Sequence, residues 1–122
     1  MENVSIEDRS ESINSLQSTV RKLENALSQM TQNGSSTTLV KKRLKAVSIG
    51  LSMLEHVWNK KPHQFTKEEL AEARDTITRL FPSIENSYAK SKAGSPQKTL
   101  LERRMRALEL AIQAIDNSEM DL

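Results

Sequence analysis

Residues 39–55, LVKKRLKAVSIGLSMLE, are matched near the end of the chain by residues 100–116, LLERRMRALELAIQAID. Each position of the first stretch corresponds to the position 61 residues later (100 − 39 = 61), and 61 is half of the 122-residue chain. Leu39, Arg43 and Ala46 recur as identical residues at that offset, and most other positions keep their chemical class. The sequence therefore predicts an internal duplication in which one helical hairpin occurs twice.

The first half reads as two amphipathic helices. Its apolar residues repeat at intervals of three and four, which is typical of helices that pack along one face. The spacing predicts a first helix over 6–31, a turn over 32–38 containing Asn-Gly, and a second helix capped by Ser35 or Ser36. The second helix should end before Pro62, because proline cannot continue the helical hydrogen bonds.

The second half begins with a clear start signal. Thr66 and Glu69 have the spacing of a capping box, so a third helix is predicted to begin at Lys67. A fourth helix should begin at Pro96, with Ser95 as its cap.

Pro82 interrupts the third helix of this prediction. The apolar spacing of Ile77, Phe81 and Ile84 continues in phase through the proline. We therefore expect one packed helix with a kink near 79–82 rather than two separate helices.

These patterns predict an all-α fold, an antiparallel four-helix bundle made of two duplicated hairpins. Aromatic residues make up only 3% of the chain, so the core must be aliphatic. A single domain is expected over 1–122, with hairpin one at 5–58, a linker at 59–65 and hairpin two at 66–117. The linker permits either handedness of the bundle.

Two equivalent ion pairs are predicted within the hairpins, Glu24 with Arg43 and Glu85 with Arg104. Both arginines lie toward the apolar side of their helices, so their stems should cover the edge of the core. The alternative for these arginines is a ligand-binding role.

Ile49 and Leu110 occupy equivalent positions opposite the predicted apolar seam. Ile49 lies nine steps of about 100° from the seam residue Val40, which puts it on the far side of the helix. With Met53 and Ala114, these residues could form an exposed contact patch for another protein or a second copy. The alternative is that each is an isolated apolar surface residue.

Basic residues cluster near the starts of the second and fourth helices. Lys41, Lys42 and Lys45 belong to one cluster, and Arg103 and Arg106 to the other. Together they could bind a nucleic-acid backbone. Against this, the net charge is only +2, acidic residues lie on the same helix, and no aromatic residues stand beside the clusters for base stacking.

No catalytic or cofactor motif occurs in the sequence. The chain has no cysteine, and neither His56 nor His63 has a second ligand at metal-binding spacing. We expect no enzyme activity, no cofactor, no metal and no membrane association. The sequence predicts a cytoplasmic, non-enzymatic protein-binding module, such as an adaptor, inhibitor or regulator, that acts through a helix face; a nucleic-acid-binding helical bundle is the alternative.

Overall fold

The computed structural model describes residues 3–120, with side chains described through residue 118. This part of the chain is helical and contains no strand. The helices are α1 (Ile6–Gln32), α2 (Thr38–Asn59), α3 (Lys67–Thr78), α4 (Phe81–Lys90) and α5 (Pro96–Met120). None of them is long and apolar enough to cross a membrane. The ends of the predicted 1–122 domain lie outside the described residues.

The structure confirms three of the four predicted helix starts, and a side-chain cap stands at each of them. Ser5 Oγ accepts the backbone N–H three residues on, at 3.1 Å. Thr66 and Glu69 form the predicted capping box, with both hydrogen bonds at 3.1 Å. Ser95 Oγ likewise accepts a backbone N–H at the start of α5. The cap of α2 is Thr37, slightly later than predicted and without a side-chain hydrogen bond.

The single kinked helix predicted around Pro82 is wrong, because α3 and α4 are separate helices. Pro82 has no N–H to donate to the Thr78 carbonyl, so the helical hydrogen bonds stop there. A tighter turn forms instead, in which the N–H of Leu80 donates to the carbonyl of Ile77, three residues earlier, at 3.0 Å. Arg79 ends α3 before the chain turns into α4.

Four helices, α1, α2, α3 and α5, pack together, and α2 and α5 are the central pair. α2 and α5 contact each other, and α1 and α3 each contact both of them, while α4 packs against α5. The central crossing is close at Gly50. A methyl group at Gly50 would lie 3.1 Å from Ala111 Cβ and 3.2 Å from Ile77 Cδ1.

The core is formed mainly by these two central helices. It includes residues that the sequence analysis predicted to be exposed. Ile49, Met53 and Leu110, predicted to form an exposed protein-binding patch with Ala114, are only 3%, 0% and 1% exposed. The prediction assumed one apolar seam on each helix. Because α2 and α5 have neighbours on several sides, the buried arc of each extends well beyond that seam.

Neither predicted ion pair forms within residues 3–118. Glu24, Arg43 and Glu85 are exposed. Arg104 is half-buried and faces α1 rather than the helix that carries Glu85. For Glu85 and Arg104, the predicted pairing assumed a single third helix along α5, whereas the break at Pro82 gives that helix two segments.

Candidate protein-binding groove

A groove between α1 and α5 combines cationic, hydroxyl and apolar side chains. Its volume is about 230 Å³, below the roughly 300 Å³ at which small-molecule pockets begin. We call it the α1–α5 groove, and its lining residues are Glu11, Asn14, Ser15, Ser18, Lys22, Leu100, Arg103 and Arg104.

Small residues on α1 make room for the long side chain of Arg104. Ser12 is buried, and Ser15 and Ser18 line the groove beside Arg104. Ser15 is three residues from each of the other two serines and is a neighbour of both on the helix surface. Because these side chains are small, α5 can approach α1 with Arg104 beside the contact.

The guanidinium of Arg104 is incompletely satisfied. Its Nε is buried and has no hydrogen-bond partner within the described part of the chain. Burial lowers the pKa of Arg104 from its ordinary value, but an arginine in a protein keeps its proton near neutral pH. The guanidinium of Arg104 is therefore charged, and its buried Nε–H lacks an acceptor from the protein.

The α1–α5 groove is positively charged. Lys22, Arg103 and Arg104 stand against one carboxylate, that of Glu11, which gives a formal charge of +2 (3 − 1). Arg103 Nη2 lies 3.6 Å from Glu11 Oε1, and both side chains are about half exposed. The remaining positive charge belongs to Lys22 and Arg104.

Leu100 supplies an exposed apolar surface at the same groove. It is 55% exposed although it is a large aliphatic residue. Its counterpart at the 61-residue offset, Leu39, is 56% exposed, but it is not among the residues that line the groove. The two leucines thus have equal exposure and different surroundings.

Arg104 and its counterpart Arg43 differ in exposure as well as in surroundings. Arg43 is exposed, whereas Arg104 is half-buried against α1. α1 continues past the groove to Gln32, but α3, which lies along α2 as α1 lies along α5, ends at Thr78. The early end of α3 leaves Arg43 without the helical wall that covers Arg104.

The residues predicted to bind nucleic acid lie in two separate locations. Lys42 and Lys45 line a small groove against α3, where Glu69 and Glu72 face them. Lys45 Nζ lies 3.7 Å from Glu69 Oε2. Lys41 is exposed and does not line that groove. Carboxylates beside the lysines would repel a phosphate backbone.

The other predicted pair lies beside α1. Arg103 and Arg106 line a cavity of about 250 Å³ next to the α1–α5 groove, together with Asp8, Glu11 and Glu102. Three carboxylates in one cavity with two arginines give it no excess of positive charge. Acidic neighbours therefore accompany both predicted clusters.

The structure brings the two histidines together, which the sequence did not predict. Their ring centroids are 4.6 Å apart, and His63 also stacks on Phe65. Burial, and then the charge of His56, lower the pKa of His63. Phe65 N–H donates to His63 Nδ1 at 3.2 Å, so the proton of the neutral ring is on Nε2. Among the described residues, no three His, Asp or Glu side chains could together hold a metal ion.

The α1–α5 groove itself was missed at the sequence level, although two signals pointed toward it. Arg104 lies on the apolar side of its helix, for which ligand binding was the alternative interpretation. Ser12, Ser15 and Ser18 form a small-residue face on the first helix. Only the packing of α1 on α5 brings these features together.

The chemistry of the α1–α5 groove is the basis for assigning a function, because a helical fold alone is shared by many unrelated activities. Comparison with protein-family models, with curated proteins and with solved structures finds no match to the chain.

Proposed function

We propose that this protein is a small, non-enzymatic protein-binding module of the cytoplasm, an adaptor, inhibitor or regulator that engages its partner through the α1–α5 face. The observation that carries this proposal is an exposed leucine, Leu100, next to a cationic groove in which Arg104 Nε has no acceptor. Arginine is among the residues that dominate protein interfaces, and an exposed leucine beside it supplies apolar surface for the contact.

We also propose that the fold is an antiparallel four-helix bundle that arose by duplication of a hairpin. The burial pattern supports this, because every buried position of α2 has a buried counterpart 61 residues later in α5. The pairs are Val40 and Leu101, Ala46 and Ala107, Val47 and Leu108, Ile49 and Leu110, Gly50 and Ala111, Met53 and Ala114, and Leu54 and Ile115. The caps Ser5 and Thr66 have the same offset.

Under this proposal the two halves have diverged in their surfaces. The buried positions match, but Arg104 and Leu100 lie at a groove that Arg43 and Leu39 do not line. The early end of α3 gives the two sets different surroundings, so the first set provides matched controls for the second.

Leu100→Asp and Leu39→Asp test the proposed function. Both replace an equally exposed leucine near the start of a helix, so their effects on folding should be similar. We expect Leu100→Asp to abolish capture of the partner from native lysate by the tagged protein. The substitution removes apolar contact and places a charged carboxylate where the partner would bury it. Leu39→Asp should capture the partner as well as the wild type.

The same experiment should be repeated after nuclease treatment. A captured protein that survives nuclease supports the protein-binding proposal. Capture that is lost with nuclease would favour the nucleic-acid alternative, and equal effects of the two Asp variants would remove Leu100 from the interface. Sizing of the purified protein by light scattering detects a second copy as the partner.

A further inference from the structure

The guanidinium of Arg104, whose buried Nε lacks an acceptor, indicates the kind of group that fits the α1–α5 groove. A buried donor without an acceptor is unfavourable, and the penalty is larger for a charged group than for a neutral one. Because the buried Nε is out of a ligand's reach, a ligand would meet the Nη groups, and a planar carboxylate can accept from both of them at the same time. The ligand group that best satisfies Arg104 is therefore a carboxylate.

The charge of the groove favours the same ligand. Lys22 and Arg103 line the groove beside Arg104, against the single carboxylate of Glu11. A negatively charged segment would be attracted to this surface and would be held less tightly as salt screens the charges.

Three observations favour an acidic peptide segment over a nucleic acid. Leu100 offers an apolar contact next to Arg104, which a leucine or similar side chain of a peptide can cover. No aromatic side chain lines the groove for base stacking. The carboxylates of Asp8 and Glu102 line the adjacent cavity and would repel a continuous phosphate backbone.

We infer that the α1–α5 groove binds an acidic segment of the partner protein, in which an Asp or Glu carboxylate is held by Arg104 and a neighbouring apolar side chain packs on Leu100. The hydroxyls of Ser15 and Ser18, which line the groove beside Arg104, can donate to the same carboxylate. This inference rests on the proposed function and adds the chemistry of the partner.

The chain contains its own control for Arg104. Arg43 stands at the equivalent position of α2 and is exposed. Replacing either arginine by glutamine removes one charge, so the net charge of the two variants is the same. A difference in binding between them reports the local environment of Arg104 rather than overall electrostatics.

The probe is a short synthetic peptide with a central leucine flanked by glutamates, compared with the same peptide in which every glutamate is replaced by glutamine. Each is titrated into the full-length protein labelled with ¹⁵N. We expect the glutamate peptide to shift the side-chain Nε–H resonance of Arg104 and the backbone amides of Ser15, Ser18 and Leu100. The glutamine peptide should leave them unchanged.

Arg104→Gln should weaken binding of the glutamate peptide by about tenfold or more, because a hydrogen bond between charged groups is lost. Arg43→Gln should bind it like the wild type. Arg104→Lys keeps the charge but not the paired donors, so it should be intermediate. Urea unfolding of each variant checks that the fold is retained.

The inference is overturned if the glutamate peptide at about millimolar concentration leaves Arg104 unshifted, or if Arg104→Gln and Arg43→Gln bind it equally. Binding of the glutamine peptide with the same affinity would also overturn it. None of these results would affect the proposed function if Leu100→Asp still abolished capture of the partner and Leu39→Asp did not. If neither the two arginine variants nor the two leucine variants differed in binding, the groove would not be an interface.

Discussion

Gly50 lies where α2 is in close contact with both α3 and α5. We expect Gly50→Ala to lower the free energy of unfolding by about 1 kcal/mol, because overpacking costs about 1–3 kcal/mol and the higher helix propensity of alanine returns about 1 kcal/mol. Overpacking should win because Ala111 Cβ, 3.1 Å from the added methyl group, is fixed to the backbone of α5. Urea unfolding at equilibrium measures the change.

The double variant Gly50→Ala with Ala111→Gly is the matched control. It exchanges the two residues that face each other, so it returns the space that the added methyl group needs. The two substitutions should therefore be strongly non-additive in a double-mutant cycle. A Gly50→Ala protein more stable than the wild type would contradict the close approach of α2 and α5.

His63 makes the stability of the fold depend on pH. Burial and the nearby His56 hold the pKa of His63 in the folded protein below the ordinary value of 6.5. At a pH between the folded-state pKa and 6.5, the unfolded chain therefore binds more protons than the folded one. The stabilising contribution is complete above about pH 6.5 and is lost as the pH falls through the folded pKa. We expect the urea midpoint to be lower at about pH 5.5 than at about pH 7.5.

His63→Gln is the control for this pH dependence. Glutamine keeps an acceptor that can serve the N–H of Phe65, which now donates to His63 Nδ1, but it does not titrate. The urea midpoint of this variant should change less over the same pH range. An unchanged pH dependence would mean that other groups cause it.

At the scale of the elements, Pro82 decides that the third helix ends early. We expect Pro82→Ala to join α3 and α4, because the new N–H can donate to the Thr78 carbonyl and the residues between the helices already have right-handed helical angles. The amide hydrogen that alanine adds at position 82 should then exchange slowly with solvent. Fast exchange there would show that packing, rather than the proline, maintains the break.

The equivalent position in the first half of the chain gives the reverse experiment. Arg21 stands 61 residues before Pro82 and is exposed within the continuous helix α1. Arg21→Pro should interrupt α1 and cost about 3 kcal/mol, as proline does inside a helix. The unfolding midpoint measures this cost, and an unchanged midpoint would contradict the account of the break.

At the scale of the whole molecule, the sequence predicted where the helices begin better than it predicted which helices pack against one another. Capping residues such as Thr66 act within a few residues, so local sequence predicted where α3 begins. The burial of Ile49 and Leu110 depends on how many helices surround α2 and α5, and a single amphipathic pattern contains no such information. The α1–α5 groove could not be predicted for the same reason, because Ser15 and Arg104 are distant in sequence and are brought together only by helix packing.

α1 buries only Ser12 and Leu16 among its 27 residues, whereas α2 buries seven of its 22. Local opening is least costly where few apolar contacts must be broken, so α1 should detach from the other helices more readily than α2 does. A ligand held between α1 and α5 requires the closed arrangement and therefore draws the population toward it. Under the proposed binding mode, recognition is thus coupled to the order of the first helix, and any change that loosens α1 should weaken binding without touching the ligand.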